Sequence, residues 1–444
     1  MASKFPLLWR KLIVLLILLA SCKTAPAEPI ATDGPSITEE PTSVPTFRPT
    51  IDVSQMEPTI TPFVGTPPAS TLPKFPMNGY VMTFVKDGYL YFQNEENTPI
   101  QLAPVDEEAK QSYISDDNQK VAFHGADGNI YSINSDGSQK LVIVSKEWKD
   151  SLKAGTSIFI EGFVPDSHRL FFRTNLCESQ EWWTPCSTSL FLADTDTGDI
   201  KKLADLGLAS QYPPGRNIRI SPNGKMIAIG DMEHMDILDM DGVIIRQNIL
   251  TYKPSTPSRS LFPSLFWLPD SSGLTIALPD SKDRDDFLAY SLWRYTIENQ
   301  SLVQISLDPA PMYDDSTFDV SPDGNWIVYG NNHVVFLGNL VNEQVSIIID
   351  HDAEMSTFSW GPDNRHFLFQ TSLWSITSID NPSSVTFFGG TLRQWVDKTH
   401  FIHDYYAGNK EPRICMMEIN GDDIKIYDLG MGKDVENFVF VKSK

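Results

Sequence analysis

The chain has 444 residues, of which 57 are acidic and 35 basic, giving a formal net charge of −22. That balance excludes a nucleic-acid partner, because phosphate contacts need clustered lysine and arginine. It fits an exported protein, or one that meets cations or basic surfaces.

Residues 1–21 read as a lipoprotein signal peptide. Lys4, Arg10 and Lys11 form a basic start, and Leu12 to Ala20 is an unbroken apolar run. The run is too short for a permanent bilayer-spanning helix and fits a signal core. The string Leu19-Ala20-Ser21-Cys22 resembles the bacterial lipobox. The resemblance implies that Cys22 is lipidated and becomes the first mature residue. An ordinary secretory signal with a chance cysteine is the alternative, and a retained anchor a remoter one. Each buried CH₂ of an acyl chain contributes about 0.8 kcal/mol, so several chains on one cysteine hold firmly. The mature protein is expected to be extracytoplasmic and anchored to a membrane through Cys22, at the cell surface or in the periplasm.

From Cys22 to residue 76 proline and threonine recur, as in Glu40-Pro41-Thr42, Val44-Pro45-Thr46 and Arg48-Pro49-Thr50. Aromatic residues are sparse and no apolar period appears. Such a segment buries too little surface to offset its ordering entropy. Proline biases it toward extended polyproline II. It reads as a disordered, semi-rigid stalk.

Residues 77–444 are long enough for one large all-β domain or two ordinary domains. Cys177 and Cys186 lie nine residues apart. In an oxidising compartment they form a candidate local disulfide, with two free thiols or half a metal site as alternatives. A zinc site would need more Cys or His at short spacing, so no metal and no cofactor is expected.

The body repeats. Ile114-Ser115-Asp116-Asp117-Asn118 is followed by Lys120-Val121-Ala122-Phe123. Ile220-Ser221-Pro222-Asn223-Gly224 and Val320-Ser321-Pro322-Asp323-Gly324 lead into like strands. Looser copies stand at Val164-Pro165-Asp166, Leu268-Pro269-Asp270, Gly361-Pro362-Asp363 and Val396-Asp397. Proline pre-sets φ, Asp caps the turn locally and Gly takes positive φ. The strand that follows is rich in Val, Ile, Phe and Tyr. A third strand and an Asp-Gly turn to a fourth complete one blade. The turns recur every 34 to 57 residues, which brackets the usual blade length. The motif with its strands resembles the TolB-like, WD40-like (PD40-type) β-propeller family. That resemblance implies an all-β propeller of four-stranded antiparallel blades, with a tendency to extracytoplasmic binding.

Seven turns give seven blades. Three further strands lie between Gly79 and Ala103, and a lone strand, Asn437 to Lys442, ends the chain. Together they make an eighth blade that closes the ring and removes its open edge. Eight blades are favoured over seven, at about 46 residues each. Two stacked β-sandwiches would not repeat the turn.

One rim of the disc carries the short turns. The other carries longer connections, where function usually sits. These include Arg173 to Ser189 with Cys177, Glu181, Trp182, Trp183 and Cys186, the Asp231–Asp236 loop with His234, the Asp280–Asp286 acidic loop, and Asp404–Lys410 with Tyr405 and Tyr406. The adjacent tryptophans suggest an aromatic platform for a sugar, a peptide or a protein hot spot, or else a small satellite core. The acidic loop lacks calcium-loop spacing and reads as solvated. His234 reads as exposed or, less readily, as a metal ligand. His400 and His403 stand at odd spacing, hence on opposite strand faces.

No G-x-S-x-G, H-E-x-x-H, P-loop or dinucleotide signature occurs, so no catalytic residue is assigned. The expected function is a binding or scaffold module for a protein, peptide or glycan. The alternative is a propeller enzyme, a glycoside hydrolase or lyase, acting on extracellular glycans or peptides.

Overall fold

The structure, a computed structural model, describes residues 59–60, 72–95, 98–106, 111–177, 186–209, 217–231, 233–252, 262–280, 289–305, 307, 318–331, 334–350, 357–370, 373–382, 384–405, 413–421, 423–431 and 435–443. A two-residue strand, β1 (Thr59–Ile60), comes first. Blade 1 takes β2 (Tyr80–Lys86), β3 (Tyr89–Gln93) and β4 (Ile100–Pro104). Blade 2 is β5 (Ser112–Ile114), β6 (Lys120–His124), β7 (Ile130–Asn134) and β8 (Leu141–Val144). A short helix, α1 (Lys146–Ser151), follows it. Blade 3 is β9 (Thr156–Phe163), β10 (Arg169–Cys177), β11 (Cys186–Asp194) and β12 (Ile200–Ala209). Blade 4 is β13 (Ile218–Ile220), β14 (Met226–Gly230), β15 (Met235–Asp239) and β16 (Ile244–Arg246). Blade 5 is β17 (Ser264–Trp267), β18 (Gly273–Asp280), β19 (Ala289–Thr296) and β20 (Ser301–Ile305). Blade 6 is β21 (Phe318–Val320), β22 (Trp326–Asn331), β23 (Val334–Asn339) and β24 (Gln344–Asp350). Blade 7 is β25 (Thr357–Trp360), β26 (His366–Gln370), β27 (Trp374–Ser378) and β28 (Ser384–Phe388). Blade 8 is β29 (Leu392–Trp395), β30 (His400–Tyr405), β31 (Arg413–Asn420) and β32 (Asp423–Asp428). The last strand, β33 (Val435–Lys442), pairs antiparallel with β2 and becomes the innermost strand of blade 1.

The packing shows why the sheets form a ring. Side chains alternate across a strand, and here both faces are apolar. In β6, Val121 and Phe123 pack with Val81, Leu90 and Phe92 of blade 1, while Ala122 packs with Leu170 and Phe172 of blade 3. In β14, Ile227 and Ile229 meet blade 3, while Ala228 meets Leu265 and Ile276 of blade 5. Apolar clusters join every pair of neighbouring blades in this way. The last joins Ile402 and Met416 of blade 8 to Tyr80, Met82, Phe84 and Phe440 of blade 1. The circle is therefore closed at eight blades, and neither seven blades nor a pair of sandwiches describes it.

The repeated turn is a side-chain network. The Ser115 hydroxyl donates to Asp117 Oδ1 (2.7 Å) and accepts from the Lys120 N–H (2.9 Å). Ser221 does the same with Asn223 and the Met226 N–H, and Ser321 with Asp323 and the Trp326 N–H. The fourth turn residue has positive φ, +65° at Gly224 and +70° at Gly324. A Cβ on Gly224 would also stand 2.8 Å from the Pro165 carbonyl oxygen of the neighbouring turn. The glycine is therefore needed for both conformation and close approach.

The end of the expected stalk differs from the sequence reading, which carried it to residue 76. β1 pairs in parallel with β28, at the outer edge of blade 7. Lys74 bridges Asp428 at the outer edge of blade 8, where the Phe75 N–H donates to the Asp428 carbonyl (3.0 Å). Phe75 is buried against Tyr80, His400, Tyr427 and Phe440. An aromatic side chain that the proline-rich composition concealed ties this stretch down. Cys22 and the rest of the stalk reading before residue 59 lie outside the described residues.

His400 and His403 stand on opposite faces of β30. His400 bonds Asp397 (2.9 Å) in the blade 8 turn, and Tyr80 of blade 1 donates to the same carboxylate (2.7 Å). His403 is fully buried on the other face, edge-on to Phe388 and opposite Cys415, and among the described residues neither ring nitrogen has a partner. Burial, with a smaller contribution from the Arg393 charge, pushes its pKa down to about 3.

Two outcomes follow from this architecture. Phe440→Ala should destabilise the protein by about 3–5 kcal/mol, the usual cost of emptying a buried phenylalanine site. A denaturant-midpoint shift corresponding to less than about 1 kcal/mol would show that β33 does not close the ring. His403 stays neutral when folded, whereas the unfolded chain binds a proton below about pH 6.5. Stability should fall as pH drops from about 6.5, by up to about 1.4 kcal/mol per pH unit from this residue. In denaturation series from pH 7 to pH 4 (roughly the window the shift defines), His403→Leu should show a shallower loss than the parent chain.

Candidate functional site

The blade order sorts the connections onto two rims. First-to-second and third-to-fourth strand turns share one rim. Second-to-third connections and the links between blades share the other. On that second rim, a pocket of about 510 Å³ lies against the innermost strands of blades 1, 2 and 3. Tyr113 of β5, His124 at the end of β6, Ile158 and Phe159 of β9, and Asn437 and Phe438 of β33 line it.

The pocket is held by polar bonds between blades. The Tyr113 hydroxyl donates to the Ile160 carbonyl (2.8 Å), joining the inner strands of blades 2 and 3. Burial, then the Glu161 charge, pushes the Tyr113 pKa up, so the hydroxyl keeps its proton. Glu161 pairs with Arg173 Nε at 2.5 Å. Arg173 is fully buried, and its guanidinium sits 4.9 Å from the Phe159 ring centroid. Its Nη1 donates to Asn175 Oδ1 (3.2 Å), which also accepts from Thr188 Oγ1 (3.0 Å). The ion pair thus holds the guanidinium beside Phe159, its cross-strand neighbour and a lining residue of the pocket.

His124 is half-buried, and among the described residues its ring has no hydrogen-bond partner. Burial and the Lys149 charge lower its pKa, against an opposing contribution from Asp106. Near neutral pH it is an uncharged imidazole, with one nitrogen to donate and one to accept. With Phe159, Phe438 and Tyr113 beside it, the pocket offers aromatic surface and a neutral polar group.

Of the residues singled out in sequence, the structure brings together Cys177 and Cys186. They face each other across β10 and β11 and form a disulfide. These strands have nine residues each, against five in β6 and β7. The clipped hairpin therefore stands about 13 Å taller on the pocket rim. Trp182, Trp183, Tyr406 and the acidic residues 281–286 lie outside the described residues. Tyr405 ends β30, where its backbone pairs with Arg413. His234 is on blade 4, away from the pocket, between Asp231 (3.0 Å) and Asp236 (3.4 Å). Among the described residues no group of three His, Cys, Asp or Glu is disposed to hold a metal.

Sequence reasoning missed Tyr113, His124 and Phe159, and it began a rim loop at Arg173 and ended it at Ser189, whereas both lie inside the long strands β10 and β11. One signal was available. Arg173 interrupts the apolar run Leu170-Phe171-Phe172, and a charge inside such a strand needs a buried partner. The rest of the pocket comes from distant parts of the chain.

No family model matches the sequence, and no curated protein matches it. Among solved structures the chain is similar to an oligogalacturonate lyase in complex with manganese, at 15% identity over 70% of this chain and 89% of that one, with a TM-score of 0.44. An oligogalacturonate lyase from Vibrio parahaemolyticus matches at 14% identity over 71% and 87%, with a TM-score of 0.41. A structure from a study of two prolyl endopeptidases matches at 10% identity over 73% of this chain and 50% of that one, with a TM-score of 0.48. At such identities and scores, these likenesses carry no argument about activity.

The lowered pKa of His124 is directly measurable. Its ring should titrate below about 6.5 by NMR, and Lys149→Gln should raise the midpoint by removing a repelling charge. A midpoint above that value would mean that the pocket is not dry enough to keep the imidazole neutral.

Proposed function

We propose that this chain is an exported, lipid-anchored protein that presents its propeller as a binding module. The ligand would sit in the pocket on blades 1 to 3, beside the disulfide-clipped hairpin. The observation that carries this reading is the pocket of about 510 Å³ with Phe159, Phe438 and an uncharged His124 on its wall. Concave sites with aromatic walls and a few polar groups are the usual seats of small ligands and peptide side chains. A net charge of −22 disfavours polyanions. An uncharged glycan or a peptide segment fits best.

The neutral imidazole also supports a second reading. A pocket histidine that titrates near or below neutrality can act as a general base, which suits a propeller enzyme acting on glycans or peptides. The two readings separate on turnover. A binding module holds its ligand unchanged, and His124→Gln would weaken capture. An enzyme converts the ligand, and His124→Gln would lower kcat with KM little changed.

The test uses the full chain displayed on glycan and peptide arrays. Phe159→Ala together with Phe438→Ala should reduce capture at least about tenfold, the effect of losing about 1.4 kcal/mol of contact. Capture that survives this double variant and Trp182→Ala/Trp183→Ala would overturn the site. Cys22→Ala should move the protein from the membrane to the soluble fraction. Unchanged membrane association would overturn the anchor.

A further inference from the structure

A second titratable group occupies the opposite rim, between blades 2 and 3. His168 Nε2 lies 2.9 Å from Asp117 Oδ2, in the first turn of blade 2, and its Nδ1 lies 2.9 Å from Asp196 Oδ2, in the last turn of blade 3. A neutral imidazole carries one N–H, and its other nitrogen presents a lone pair. Against a carboxylate oxygen that lone pair meets another. Both contacts are hydrogen bonds only when both nitrogens carry protons.

The surroundings favour the cation. The pocket at this seam, about 460 Å³, is also lined by Asp116, Asp166 and Asp194. The neighbouring cations are Arg169 and Lys120, and Lys120 is itself committed to Asp196 at 2.8 Å. Burial pulls the His168 pKa down, but its bonds to Asp117 and Asp196 and their charges outweigh this and leave it above the ordinary value. The Asp196 carboxyl is held low by Lys120 first and His168 next. At Asp117, burial is outweighed by hydrogen bonds from Ser115, His168 and the Gln119 N–H.

We propose that His168 is a pH-sensitive clasp between blades 2 and 3: as imidazolium it holds Asp117 and Asp196 at once, and on losing one proton to solvent it releases one of them. Other contacts across this rim are the Lys120–Asp196 ion pair (2.8 Å) and the Asp166 N–H donating to Asp116 Oδ2 (3.0 Å). A raised folded-state pKa means that the clasp is fully stabilising below about pH 6.5, and that its stabilisation is lost as pH rises through the folded-state value. The device releases as pH rises, in the opposite sense to His403.

The test is an NMR titration of the His168 ring in the full chain. The midpoint should lie above about 6.5, and Asp117→Asn and Asp196→Asn should each move it down. Each variant keeps one carboxylate, so the fold does not depend on the outcome. Amide exchange at residues 115–120 and 164–169 should accelerate above the midpoint, beyond the intrinsic base dependence, by up to about tenfold per pH unit for one linked proton. His168→Gln should remove that added dependence. A midpoint at or below 6.5, or one unmoved by both substitutions, would overturn the clasp. Neither result depends on what the other rim binds.

Discussion

The structure depends on one constraint: every blade is apolar on both faces. A sheet with a single apolar face can end a stack, but a blade with two must have a neighbour on each side. Only a closed circle gives every blade two neighbours without leaving greasy surface in water. The chain meets this requirement at the join between its ends, where β33 slots inside β2 and Phe440 fills the seam against blade 8. The blade number is then a matter of wedge angle, set by how much each interface holds. Ala122, Ala228 and Ala277 face one way while larger residues beside them face the other.

Near the axis the strands are drawn together by bonds that cross from blade to blade. The Trp267 indole N–H donates to the Arg219 carbonyl (2.9 Å), and that of Trp360 to the Asp319 carbonyl (3.0 Å). The Gln394 amide donates to the Phe440 carbonyl (2.5 Å) and accepts from its N–H (3.2 Å). Innermost strands lack a ladder partner on their axial side, so their backbone groups need such partners. These collar contacts and the turn networks fix the two ends of each inner strand, and the pocket inherits its shape from that frame.

Much of the fold was legible in the sequence because its signal is local. The Ser-Pro-Asp-Gly turn is built from residues within five positions of one another, and its hydrogen bonds need no tertiary partner. The lone final strand was legible for a similar reason, since a β-rich run with no turn after it needs an edge to join. The pocket was not legible. Tyr113, His124, Phe159 and Phe438 are an unremarkable set of residues when read along the chain; blade packing brings the first three together, and closure of the ring by β33 adds Phe438. The inference from unusual composition pointed to Trp182 and Trp183, which lie outside the described residues. Phe75 was misassigned because a single aromatic residue in a proline-rich stretch has no period to betray its burial.

The two edge contacts ahead of β2 have a mechanical consequence. β1 lies parallel to β28, and residues 73–75 run beside the end of β32. A pull on the chain ahead of residue 59 would load blades 7 and 8 before any force reached β2. Parallel pairing resists such a load in shear, with its hydrogen bonds strained together rather than peeled one at a time. Residues 73–75 would share that load with the closing seam, because Phe75 packs on Tyr80 and Phe440 there.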